Sequence, residues 1–182
     1  MKLRPTLWRT CRVIANETRL RLLWLIFENG ELCVGELAQR TGTSETNASN
    51  QLRALNARGL ILSRREKMKV LYRAEANSGI DFAPSLLEAL RKCYKQSMPF
   101  KTVARQATAF THGRRIEIVR ALNGRKLSFG ALRDATGMSL SALSRHLEKL
   151  EVRGFVKRIG KAYRLAHPGN PLGRALLKIA KP

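Results

Sequence analysis

Acidic residues are scarce in this chain: 13 Asp+Glu stand against 35 Lys+Arg, a formal net charge of +22 at pH 7. Residues 98–182 hold only four acids, Glu117, Asp134, Glu148 and Glu151, scattered along helical segments. Paired carboxylates, a glycine-rich phosphate loop, an HExxH pair and a nucleophile–base motif are all missing, which argues against an enzyme. Cysteine is also sparse. Cys11, Cys33 and Cys93 are odd in number and widely spaced, so they form neither a disulfide framework nor a CxxC pair, and a reducing cytoplasm is expected. Long apolar runs are missing too: no stretch of 18 or more residues reads as a membrane-spanning helix. The first residues, MKLRPTLWRTCRVIANETR, carry charges where a signal peptide would be apolar, so secretion is not expected.

What is present points elsewhere. Hydrophobic residues make up 44% of the 182, enough for a packed core in one ordinary domain or two small ones. A folded chain this basic repels itself unless a polyanion neutralises it; nucleic acid is the commonest such partner, with an anionic membrane surface as the rival.

The chain repeats itself. A shift of 95 residues lays LCVGELAQRTGTSETNASNQLRALNARGLI (Leu32–Ile61) on LSFGALRDATGMSLSALSRHLEKLEVRGFV (Leu127–Val156) without a gap. Gly35 meets Gly130, Thr41-Gly42 meets Thr136-Gly137, and Ser44 meets Ser139. Ser49, Leu52, Leu55 and Arg58-Gly59 likewise fall on Ser144, Leu147, Leu150 and Arg153-Gly154. Upstream, one residue of slippage matches Arg19–Ile26 to Arg115–Leu122. The shared positions are those that set geometry.

Each half parses alike. An opening helical segment (Thr6–Ala15; Lys101–Phe110) precedes a second helix at about Thr18–Glu28 or Arg114–Asn123. A short helix follows at Val34–Thr41 or Phe129–Thr136, closed by Gly42 or Gly137. Ser44 or Ser139 then caps the next helix, which runs to Gly59 or Gly154. Two strand-like runs around a turn come next, Leu60–Ala74 and Phe155–Ala166, the first turning at Arg65–Met68 and the second at Gly160-Lys161. An apolar-striped helix closes each half, with Leu86, Leu90 and Cys93 in Pro84–Lys95 and Leu172, Leu176 and Ile179 in Pro171–Ala180. The fold class expected is mainly α with small β wings, in two tandem winged helix-turn-helix domains, 1–97 and 98–182, with the boundary near Ser97–Pro99.

The Ser-capped helix carries the chemistry. Ala48, Leu52 and Leu55 form its inward stripe, repeated by Leu143, Leu147 and Leu150. The remaining face offers Thr46, Asn47, Ser49, Asn50 and Arg53 after Ser44 in the first copy. In the second it offers Ser141, Ser144, Arg145, His146 and Lys149 after Ser139. Short hydrogen-bonding groups and a guanidinium reach base edges and phosphate oxygens in a major groove. The hairpins add Arg64, Arg65, Lys67 and Lys69, then Lys157, Arg158, Lys161 and Arg164, placed to touch sugar–phosphate beside the groove. A polar helix face or a charged hairpin alone is commonly just solvated surface. Both together, twice in a chain of charge +22, point to double-stranded DNA.

The stretch Ala15–Glu75 resembles the ArsR-type winged-helix repressors. Its features are Arg-Leu-x-Leu-Leu (Arg19–Leu23), then ELCVGEL (Glu31–Leu37), then Ser44, Ser49, Leu52 and Leu55, then Gly59-Leu60-Ile61. The second half follows the pattern through Ser139, Ser144, His146 and Leu147, while the first has Gln51 where the family often has His. The resemblance implies a bacterial regulator that binds operator DNA and leaves it on receiving a metal or other signal. Metal-sensing members carry two cysteines two residues apart on the third helix. Here Cys33 stands with Gly35, and the second copy has no cysteine, so no metal and no cofactor is expected. His112, His146 and His167 form no ligand pair.

Family members dimerise through their first and last helices, and this chain supplies both partners. An intramolecular pseudodimer is therefore expected, against beads on a string or two chains carrying four winged helices. The halves are unequal: residues 1–97 hold 17 basic and 9 acidic residues and 98–182 hold 18 and 4, which is +8 against +14. A non-palindromic site, or anchoring through the second half, follows from that imbalance. The expected role is a sequence-specific repressor in the cytoplasm, associated with the nucleoid. The rival is a non-sequence-specific DNA or RNA binder, favoured by cations outside the motifs such as Arg4, Arg9 and Arg12; a protein-interaction scaffold is a third class.

Overall fold

In the computed structural model, which describes residues 5–181, each half is built on the same plan. The first runs α1 (Leu7–Ile14), α2 (Glu17–Asn29), β1 (Glu31–Cys33), α3 (Val34–Thr41), α4 (Glu45–Asn56), β2 (Leu62–Glu66), β3 (Lys69–Arg73) and α5 (Ala83–Lys95). The second runs α6 (Phe100–Ala107), a 3-10 turn (Thr108–Phe110), α7 (Gly113–Ala121), β4 (Leu127–Ser128), α8 (Phe129–Thr136), α9 (Leu140–Val152), β5 (Val156–Ile159), β6 (Ala162–Leu165) and α10 (Pro171–Ala180). Arg4 lies outside the described residues. Among the described residues, no helix is long and apolar enough to cross a membrane.

Local chemistry fixes the ends. Asn16 accepts the backbone N–H of Arg19 at 3.0 Å and starts α2; Asn170 does the same for α10 through Gly173 N–H. Gly42 and Gly137, both left-handed at φ +65 and +61, end α3 and α8. Hairpin β2–β3 turns at Lys67-Met68, tighter than the four-residue turn read from sequence, with Lys67 itself at φ +51.

Two features go beyond the sequence reading. Each sheet has three strands, not two, because β1 joins β3 (Glu31 opposite Arg73) and β4 joins β6 (Leu127 opposite Tyr163), in the orders β1-β3-β2 and β4-β6-β5. And the opening helix of the second half tightens after Ala107 into the 3-10 turn.

One continuous apolar core runs through both halves. α5 packs along α10, α10 also touches α6, and α1 packs on α6 and the 3-10 turn. Leu86, Leu90, Cys93, Leu172 and Leu176 are fully buried. Trp24 meets Phe27, Tyr94 and Phe100 with ring centroids 5.7–6.1 Å apart, joining α2, α5 and α6.

One of a matched pair of arginines braces each half. Arg115, 4% exposed, donates to the carbonyls of Ala109 and Thr108 and to Thr111 Oγ1 at 2.7 Å. Its counterpart Arg19 donates to the carbonyls of Val13 and Arg12 and to Gln51 Oε1 at 2.7 Å. Each guanidinium thus satisfies carbonyls left free where the preceding helix ends, and Arg19 also ties α1 to α4.

Candidate nucleic-acid interface

Ser44 Oγ accepts the N–H of Asn47 at 3.2 Å, and Ser139 Oγ that of Ala142 at 3.3 Å, so both capping serines use their hydroxyls to launch α4 and α9. Ala48, Leu52 and Leu55 are fully buried, as are Leu143 and Leu150, with Leu147 nearly so. That inward stripe leaves Thr46, Asn47, Asn50 and Arg53 exposed on α4, with Ser49 half-buried. On α9 it leaves Ser141, Ser144, Arg145 and Lys149 exposed.

His146 stands apart from that face. Its ring is half-buried against His112, with centroids 4.7 Å apart and planes tilted by 42°, and its Nδ1 is buried without a hydrogen-bond partner. Burial first, then His112, Arg115, Lys149 and Arg145, hold its pKa down to about 4, so the ring is neutral near pH 7. Its equivalent Gln51 is also turned inward, to Arg19 and Asn47.

The hairpins differ in how free their cations are. Arg65, Lys67 and Lys69 are exposed on the first. Arg64 donates twice to Glu31, Nε at 2.9 Å and Nη2 at 2.7 Å, and lies 3.0 Å from Glu66. That pairing lowers the pKa of Glu31 and raises that of Arg64, so Arg64 is already neutralised. On the second hairpin Lys157, Arg158 and Lys161 are exposed and Arg164 is half-buried. Arg158 Nε donates to the Gly160 carbonyl at 3.0 Å.

In the first half, helix and hairpin face one space. An open cleft of about 660 Å³ is lined by Thr46, Ser49, Asn50 and Arg53 of α4, by Val34 and Gly35 of α3, and by Met68, Lys69 and Val70 of the hairpin. Met68 at its rim is 91% exposed. Glu45 and Leu140, the first residues of α4 and α9, are exposed as well, in keeping with the contrast that the sequence draws between the starts of the two reading helices. Both follow the capping serine directly, where a side chain leads into the groove.

The cysteines are all buried and lie on separate elements, Cys11 on α1, Cys33 on β1 and Cys93 on α5. Burial pushes the Cys11 and Cys93 thiols up, which suppresses thiolate.

The family model for bacterial regulatory proteins of the arsR family matches this chain twice, over residues 16–63 and 112–158. The transcriptional activator HlyU of Vibrio cholerae serotype O1 is 33% identical over 86 residues, covering 47% of this chain and 75% of that protein. The arsenical resistance operon repressor of Escherichia coli strain K12 is 30% identical over 97 residues, covering 52% of this chain and 82% of the repressor. Among solved structures, the homodimeric winged helix-turn-helix DNA-binding domain Mb0332 of Mycobacterium bovis is similar over 50% of this chain and 80% of that domain, with 31% identity and a TM-score of 0.40.

Proposed function

The chain belongs to the arsR family of bacterial regulatory proteins, non-enzymatic DNA-binding transcriptional regulators, and from that premise we propose that it is a sequence-specific repressor gripping duplex DNA with both of its winged helices. The observation that carries the reading is the cleft where the polar face of α4 and the cationic hairpin β2–β3 open to the same side. A major groove accepts a helix, and a hairpin beside it reaches the flanking phosphates. The residues assigned to the contact are Ser44, Thr46, Asn47, Ser49, Asn50, Arg53, Arg65, Lys67 and Lys69, with Ser139, Ser141, Ser144, Arg145, Lys149, Lys157, Arg158, Lys161 and Arg164. Arg64 and His146 are left off because each is already engaged within the chain.

The two halves act as an intramolecular pseudodimer, a reading supported by the packing of α5 on α10 and of α1 on α6. The protein works in the cytoplasm, on the nucleoid.

Competition binding tests the reading: a genomic duplex enriched by the full chain should resist displacement by random duplex and by RNA. Equal displacement by all three would leave only a non-specific binder. Transcription from a promoter overlapping the enriched site should fall when the protein is added; a rise would make it an activator. Sedimentation at micromolar concentration should give the 20.5 kDa single chain, and a species of twice that mass would replace the pseudodimer by four winged helices.

A further inference from the structure

Sliding α4 onto α9 by 95 residues separates two kinds of position. Those that build the helix keep their character: Ser44 and Ser139 cap it, and Ala48, Leu52 and Leu55 correspond to the buried Leu143, Leu147 and Leu150. Exposed positions change character. Asn50 corresponds to Arg145 and Glu45 to Leu140, and all four side chains are exposed. Among the described residues, neither Asn50 nor Arg145 has an intramolecular hydrogen bond or ion pair through its side chain. Asn47, by contrast, accepts from Gln51 Nε2 at 3.0 Å, which leaves Asn50 as the free amide of the α4 face.

These pairs differ in what they can recognise. A carboxamide has one donor and one acceptor edge, which match N7 and N6 of adenine, whereas a guanidinium has donors only and matches O6 and N7 of guanine. Glu45 is an acceptor only and suits the N4 amino group of cytosine; its carboxylate lies 3.1 Å from where a Cβ on Gly35 would stand, so glycine leaves it room at the cleft. Leu140, 59% exposed, has no polar group and suits the thymine methyl. Arg64 of the first hairpin is paired with Glu31 and Glu66, while among the described residues Arg65, Lys67 and Lys69 there, and Lys157 and Lys161 of the second hairpin, have no carboxylate partner.

We infer that the two winged helices read different base sequences, so that the ligand of this chain is an asymmetric duplex with two unlike half-sites. The half-site under α4 carries adenine and cytosine at the positions met by Asn50 and Glu45. That under α9 carries guanine and thymine at the positions met by Arg145 and Leu140. This rests on the DNA-binding reading above and names its substrate class.

The test uses the full chain on a random duplex library. Wild type should enrich a site whose halves are not inverted repeats of each other. The double variant E45L/N50R, which gives α4 the reading residues of α9, should shift preference by tenfold or more toward an inverted repeat of the G- and T-containing half-site. Urea unfolding of the variant at the wild-type midpoint establishes that it is folded. Enrichment of an inverted repeat by wild type, or an unchanged preference in the folded variant, overturns the inference while leaving DNA binding intact. Retention of no duplex overturns the DNA-binding reading itself, and this inference with it.

Discussion

Raising the salt concentration is the most direct perturbation of the proposed interface, and its size can be worked from the exposed cations. Arg53, Arg65, Lys67 and Lys69 are open to solvent on the first half, as are Lys149, Lys157, Arg158 and Lys161 on the second. Arg145 is left out because a guanidinium on a base edge is not at a phosphate, and Arg64 because Glu31 and Glu66 already hold it. Eight phosphate contacts release enough counterions to give a slope of log K against log salt of about −7. Between 50 and 200 mM salt, affinity should then fall roughly 20,000-fold. Fluorescence anisotropy of a labelled duplex over that range measures the slope. Engagement of the second half alone would supply four cations and a slope of about −4, so a value that shallow on the best duplex refutes simultaneous use of both winged helices. Single variants sharpen the result: Arg65→Ala should lower the slope by about 1, and Arg64→Ala should leave it unchanged.

Three further outcomes concern stability. Arg115→Met leaves three acceptors without their donor in the core and should cost about 3 kcal/mol by urea unfolding; a cost below 1 kcal/mol would show that the brace is dispensable. Gly59→Ala should cost about 2–3 kcal/mol, because the backbone is left-handed at φ +68 and the new Cβ would meet Ile80 Cδ1 at 2.5 Å. Gly154→Ala, at φ +75 but with open space, should cost only about 1 kcal/mol, and equal costs would discard the packing argument. His146 takes up a proton near 6.5 when unfolded but only near 4 when folded, so the unfolded state binds more protons between those values. Stability should therefore fall as pH drops from about 6.5 to about 4, by about 1–2 kcal/mol for a half-buried ring. His146→Gln, the residue of the first copy, should remove that component of the urea midpoint's pH dependence.

The helices were legible because the internal repeat and the 3.6-residue period mark the same positions twice, and the glycine stops and serine caps agree with them. β1 and β4 were not. Strands of three and two residues have no period of their own, and they exist only because β3 and β6 offer an edge to pair with. Without β1, the 33-residue separation of Glu31 and Arg64 hides their ion pair, so Arg64 read as one more free cation. The reading of His146 as groove-facing came from the family pattern. Its spacing already said otherwise: it stands three residues after Leu143 and four before Leu150, on the edge of the buried stripe. Gln51, placed likewise between Ala48 and Leu55, is braced by Arg19.

Gln96–Pro99, the four residues between α5 and α6, have a consequence for cellular abundance. So short a tether holds α10 beside α5 at an effective concentration in the millimolar range. On the pseudodimer reading proposed above, dilution therefore does not part the halves, whereas a regulator assembled from separate subunits comes apart once its copy number drops below the dissociation constant. A cell holding a handful of these molecules would keep every one of them competent.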